Sequence, residues 1–268
     1  MTQRLLAGAL FAGVAAGILA AVLHFAFIQP VLLLGEEYES GARVHFAGLA
    51  AAAPADAGHS HAEGSAAHSH DADTTGTEAA AAGAAQEAEG HSHDAVAPGA
   101  EGDGSLTRNT LTVLFTVLIY CGYALILSAA MRVAGRFGHV PNAVQGILWG
   151  LAGFLALQGA PALGLAPEMP GTPAADLTLR QIWWLLTVLA TAGGLALMAL
   201  RRDALSWIAA IVVLAAPHVI GAPEPERFAG VAAPEAAALF AARSLMVGLV
   251  VWASLGAFCA RSLPKSAA

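Results

Sequence analysis

Residues 5–28 read LLAGALFAGVAAGILAAVLHFAFI, an apolar run with no charged residue that ends at Gln29-Pro30. A helix needs about 20 mostly apolar residues to cross the hydrocarbon core of a bilayer, and this run supplies them. Arg4 at its start resembles the basic beginning of a secretory signal, yet the apolar stretch outlasts the usual 7–15 residues of such a signal, so it reads as an uncleaved anchor. Ala9, Gly13, Gly17 and Ala21 recur every fourth residue. They therefore share one helix face, where small side chains let a second helix backbone approach closely.

Five further stretches approach the same length: 110–131, 144–165, 181–200, 204–221 and 237–260. Hydrophobic residues make up 57% of the 268 and charged ones 12%, too few charges for an ordinary soluble domain. Mean hydropathy is +0.65. The expected fold is all-α, a polytopic transmembrane bundle of six helices. A five-span arrangement stays open, because 204–221 is short and ends in Ala216-Pro217-His218. Three parts follow: residues 1–34 as the first span and its outer end, 35–108 as a polar loop, and 109–268 as a bundle of about five helices. Gly146 and Gly150 repeat the small-residue spacing in span three. Cys121 and Cys259 fall inside apolar runs and read as buried small hydrophobes rather than a disulfide. The formal net charge of −7 and the lack of a basic face exclude nucleic-acid binding.

Basic residues set the direction. Across six spans Arg4, Arg132, Arg136, Arg201, Arg202, Arg261 and Lys265 fall on one side, which the positive-inside rule makes cytoplasmic. Arg43, Arg108, Arg180, Arg227 and Arg243 fall on the other, spread over longer segments. Both termini are thus expected in the cytoplasm, with residues 35–108 outside. Trp149, Trp183, Trp184 and Trp207 lie near span starts and read as headgroup-level anchors. Trp252, at mid-span, is the exception.

The outward segment carries His-Ser-His three times, at His59 and His61, His68 and His70, and His91 and His93. From Ala50 to Ser105 it is mostly Ala, Gly, Ser, His, Asp and Glu, with almost no large apolar side chains. Such a composition buries too little apolar surface to offset ordering entropy, so disorder without metal is expected. Neutral imidazole is the commonest nitrogen ligand for first-row transition metals, and Glu63, Asp71, Asp73, Glu89 and Asp94 could complete a shell. Two readings stand: capture of metal, or a solvated low-complexity spacer. The affinity order for imidazole sites does not by itself name the metal.

Ionisable groups within spans are costly and mark candidate sites. His24 lies in the outer third of span one, followed by Gln29, Pro30, Glu36 and Glu37; His218, Glu168 and Asp176 reach the same boundary. If spans one, four and five are neighbours, these groups line an outer vestibule whose negative potential suits a divalent cation. Simpler roles stand beside this one: a helix–helix hydrogen bond for His24, a carbonyl freed by Pro217 for His218, ordinary interfacial acids at Glu36 and Glu37, and a helix start for Asp176. Pro161, Pro167, Pro170 and Pro173 interrupt the chain from within span three. Gln158 precedes the break and could offer an oxygen to an ion.

The chain resembles the CbtA family, described as the larger membrane subunit of a proposed bacterial cobalt transporter. The likeness rests on the first span running into Gln29-Pro30 and residues 36–39, EEYE, and on residues 149–154, WGLAGF. It continues in residues 161–171, PALGLAPEMPG, 176–184, DLTLRQIWW, and 216–223, APHVIGAP. The resemblance implies cobalt uptake linked to cobalamin synthesis, in a bacterial inner membrane, with a small one-span partner, CbtB, that also carries histidines. It further implies five spans, where the charge pattern favours six.

Lys265 is the only lysine, so no Gly-x-x-x-x-Gly-Lys phosphate loop exists. The residues fit a membrane subunit for uptake of a divalent transition metal, cobalt with nickel or zinc as alternatives, and no permanently bound cofactor. A metal-responsive accessory or sensor that carries nothing is the second reading. An enzyme is the weakest, because no nucleophile stands beside a base and the His-x-His pairs lack the His-Glu-x-x-His arrangement.

Overall fold

The computed structural model describes residues 2–45, 101–138, 141–201 and 203–263. The chain divides into a helical body, Met1–His45 with Ser105–Ala268, and the segment Phe46–Gly104. Every regular element among the described residues is helical. Helix α1 spans Thr2–Leu23, passes through a π-helical turn at His24–Ile28 and continues as α2, Gln29–Glu39. Helix α3 spans Glu101–Arg136. Helix α4, Ala143–Phe154, runs into a second π-helical turn at Leu155–Gly159 and a 3₁₀ turn at Pro161–Leu163. Helices α5, Leu177–Leu200, and α6, Ala204–Ile220, form a hairpin, and α7 covers Pro234–Ser262.

Each start and stop has a local cause. Asn142 and Gln145 form a reciprocal capping box at α4, while Asp176 and Asp203 cap α5 and α6 by accepting from the backbone N–H groups of Leu179 and Ser206, both at 2.9 Å. Pro234 opens α7, where its missing N–H costs nothing. The wide turns precede prolines. Pro30 and Pro161 have no N–H for the carbonyls four residues back, Ala26 and Leu157, and their rings crowd those carbonyls. The helix relieves this by widening for one turn, so Gln29 N–H reaches back to His24 O and Ala160 N–H to Leu155 O.

Among the described residues five helical stretches are long and apolar enough to cross a membrane: Leu5–Glu39, Gly104–Arg136, Ala143–Leu163, Leu177–Leu200 and Pro234–Ser262. Helix α6, with 17 residues, rises about 26 Å, at the lower limit for a span. Its course settles what it does in the bundle. Helix α5 leaves from the end that holds Glu168, and α6 returns to that end, where the Pro217 carbonyl accepts from the Trp183 indole at 3.1 Å. Helix α7 starts there too and ends beside α1, where a methyl group at Gly8 would meet Ser262 Cβ at 2.9 Å. The body is therefore traversed six times, and Gly8 and Ser262 share one end.

Small residues hold the bundle together. Ala9, Gly13, Gly17 and Ala21 are all buried, and a Cβ at Gly13 would meet Cys121 Cα at 2.5 Å and one at Gly17 would meet Val117 Cα at 2.6 Å. Helices α1 and α3 thus run antiparallel, nearly backbone to backbone. The tightest crossing joins α4 to α7: a Cβ at Gly150 would collide with the Trp252 carbonyl, and one at Gly256 with the Gly146 carbonyl. In lipid, where apolar side chains gain little by leaving solvent, such close contact is a main source of helix association. One core joins α1, α3, α4 and α7 around Trp252, Leu255 and Met131. A second packs Val31 of α2 against Met169, Ala233 and Phe240. Neither draws a buried residue from the α5–α6 hairpin. Outward faces stay apolar, as Phe11 (76% exposed) and Val219 (84%) illustrate.

Cys121 and Cys259 are both free. Trp252, alone among the tryptophans at mid-span, is 2% exposed and stacks at a tilt on Tyr123, 4.8 Å between centroids.

Gly150→Leu is expected to cost about 3 kcal/mol through overpacking against a rigid carbonyl, whereas Gly193→Leu, with open space around its Cα, is expected to be neutral; thermal unfolding in detergent compares them. At Asp203 the Ser206 N–H and hydroxyl hold the carboxyl below the usual carboxylate range. A lowered folded value means stability present above the unfolded value and lost as pH falls through the folded one. Asp203→Ala should therefore melt below wild type at neutral pH, with the gap closing below about pH 3.9.

Candidate functional site

The two ends of the bundle differ in charge. Arg132, Arg136, Arg201 and Arg261 gather at the end shared by Gly8 and Ser262, with Asp203 as the accompanying acid. The opposite end receives Glu36, Glu37, Glu168, Asp176 and His218, and the flanks of the histidine-rich segment, His45 and Ser105. The six histidines His59, His61, His68, His70, His91 and His93 lie outside the described residues.

At this loop end the four candidate acids, Glu36, Glu37, Glu168 and Asp176, each have a partner. Glu36 pairs with Arg108 at 3.3 Å and Glu37 with Arg43 at 2.9 Å, both about half exposed and so worth little in stability. Glu168 and Arg180 pair at 2.6 Å with side chains 31% and 27% exposed, the most enclosed of the three. Asp176 spends its carboxylate on the α5 cap. Gln29 donates to Asn109 Oδ1 at 3.3 Å, tying α2 to α3. His24 opens the first π-turn and meets Phe25 edge-on. His218 meets Trp183 edge-on, with ring centroids 6.0 Å apart. The Pro217 carbonyl beside it is taken by Trp183. Among the described residues no three His, Cys, Asp or Glu side chains converge as a metal cage.

The candidates fall into two groups. His24, Gln29, Glu36 and Glu37 belong to the α1–α2 span, whose packing partners are α3 and α7. Glu168, Asp176 and His218 belong to the proline-rich connection and the α5–α6 hairpin. The neighbourhood assumed for spans one, four and five is thus not the direct packing; the groups meet through the loop after α4, where Gly35 lies against Met169 and the Pro170 carbonyl. Small-residue packing places α7 beside α1, which no spacing in either helix alone announces.

Three residues gain importance from the structure. Trp183 and Trp184, expected as headgroup anchors, turn their indole N–H groups inward instead, Trp183 to Pro217 O and Trp184 to Leu157 O at 3.2 Å. The second is the carbonyl that Pro161 cannot serve. Arg243, counted beforehand only as an outer charge, donates from within α7 to Phe27 O at 3.1 Å, in the other widened turn. Both prolines carry a signal in the sequence; the donors that answer them come from distant spans.

Two widened helices and an ion-paired polar end on an apolar helical bundle describe a polytopic membrane protein. A family model described as "Probable cobalt transporter subunit (CbtA)" matches residues 2–263, and the chain belongs to that family. No curated protein and no solved structure matches it significantly.

Trp184→Phe keeps an aromatic ring but removes the donor to Leu157 O. Losing this hydrogen bond is expected to cost about 1 kcal/mol, read as a lowered melting temperature that Trp207→Phe, at a 46% exposed ring, does not reproduce.

Proposed function

We propose that this chain takes up a divalent transition metal, cobalt first, across a bacterial inner membrane, with both termini in the cytoplasm and the histidine-rich segment outside. Membership of the cobalt transporter subunit family over residues 2–263 carries this reading. The arginine-rich end supports the direction, since clustered short-loop basic residues stay cytoplasmic. His59, His61, His68, His70, His91 and His93 collect the ion as exchangeable imidazole pairs. His24, Gln29, Glu36, Glu37, Glu168, Asp176 and His218 line its entry. A small one-span subunit of the CbtB kind, bearing histidines, completes the complex.

The driving force needs no nucleotide. At about 2.3 kcal/mol per charge per 100 mV, an inward-moving dication gains about 4.6 kcal/mol, enough for an accumulation of about three orders of magnitude. One observation favours a second reading, an accessory or sensor that carries nothing itself: Glu36, Glu37, Glu168 and Asp176 are engaged by arginines or by a helix cap.

Vesicles holding the purified chain, given an inside-negative potential, decide between them. The transport reading expects potential-dependent Co²⁺ accumulation, reduced at least about fivefold at limiting Co²⁺ by His218→Ala or by deletion of the histidine-rich segment. A sensor gives no flux, and uptake unchanged in both variants defeats the capture scheme.

A further inference from the structure

Beside the break in α4 lies an open cavity of about 420 Å³, enclosed by the π-turn, the proline-rich connection, the start of α5 and one turn of α7. Leu157, Leu165, Leu177, Trp184 and Leu245 form its apolar wall, and Gln158, Glu168, Arg180, Gln181 and Ser244 supply the polar groups. Two buried polar atoms here have no protein partner, Gln158 Oε1 and Arg180 Nε. Gln158 sits in the π-turn with its carboxamide pressed onto Gly248 of α7, where any Cβ would collide with the oxygen. An unpaired acceptor in a low-dielectric site is costly; Gln158, a residue of the cavity lining, carries one, and of the two atoms it alone suits a cation, since Arg180 Nε–H is a donor. π-turns recur at such places.

The donor set identifies the class of ligand. A carboxylate, a carboxamide and a hydroxyl present oxygens, the donors suited to a hydrated dication held weakly. Weak holding is what a pathway needs, because an ion must leave as readily as it enters. Arg180 occupies the Glu168 carboxylate at 2.6 Å. An arriving dication competes with that guanidinium for the same charge, and both side chains are accessible enough to exchange.

We propose that this cavity is a transit site for a partly hydrated divalent cation, taken by Glu168, Gln158 and Ser244, and that the Arg180–Glu168 pair is its ion-free, self-neutralised state. The site rests on the uptake reading above and assigns to Arg180 the part of a competing internal cation. A plain structural ion pair predicts that losing either member harms the protein alike. A competing cation predicts effects of opposite sign.

The test uses the full chain in vesicles and Co²⁺ as probe. Arg180→Gln is expected to lower the half-saturating Co²⁺ concentration at least about threefold, whereas Glu168→Gln and Gln158→Leu raise it about tenfold, with Glu168→Gln/Arg180→Gln matching Glu168→Gln alone. Parallel losses in the two single ion-pair variants, repaired in the double variant, overturn the proposal, as does a neutral Gln158→Leu. If wild type accumulates no Co²⁺, the uptake reading falls, and the site is judged by binding alone. Co²⁺ quenching of the tryptophan emission that Trp184→Phe removes should tighten in Arg180→Gln and vanish in Glu168→Gln; superimposable titrations overturn it.

Discussion

Hydrocarbon offers no water to a carbonyl that a proline has stranded, and this constraint organises the half of the molecule that holds Pro30 and Pro161. Pro30 and Pro161 each break a span, and each break widens the helix and asks for a donor from elsewhere. Trp184 of α5 answers at Leu157 O, and Arg243 of α7 donates to Phe27 O, one residue past the carbonyl that Pro30 leaves. These two hydrogen bonds thereby place α7 against the first span and the α5–α6 hairpin against the third. The cavity beside Gln158 exists because the second break opens the backbone there while Gly248 leaves room for the amide.

The other half obeys a different rule. Glycines at 146, 150 and 256 bring α4 and α7 into backbone contact, and Gly13 and Gly17 do the same for α1 and α3. Dispersion across such surfaces is lost if a single Cβ intrudes, so this half is closely packed and specific. Charge follows the same division, with arginines at the packed end and ion-paired acids at the opened one.

Much of this was legible in the chain. Apolar length located the spans, the spacing of Ala9, Gly13, Gly17 and Ala21 named a face that is buried, and the proline cluster after residue 160 marked a broken helix. The arginine pattern favours six crossings, whereas apolar length picks out five candidate spans among the described residues and leaves α6 as a shorter apolar helix. What stayed hidden depends on which helices meet. Trp183 and Trp184 look identical to interfacial anchors until their acceptors are found, Pro217 O for the one and, for the other, the Leu157 carbonyl that Pro161 strands. The pairing of Glu36 with Arg108 joins residues 72 apart, with the histidine-rich segment between them in sequence. Glu168 and Arg180 are close in sequence, yet no local pattern says whether they meet; the geometry of the proline-rich connection decides it.

The α5–α6 hairpin contributes no buried side chain to either core and is fastened to the rest by a few polar and aromatic contacts around Trp183, Trp184 and Arg180. It behaves mechanically as an outrigger on a stiff four-helix keel. Sliding α4 along α7 would drive glycine backbones into facing carbonyls, whereas tilting the outrigger breaks only a handful of bonds at its upper lashing. Any conformational cycle in this protein is therefore cheapest as a swing of residues 177–220 about that lashing, with the keel unmoved.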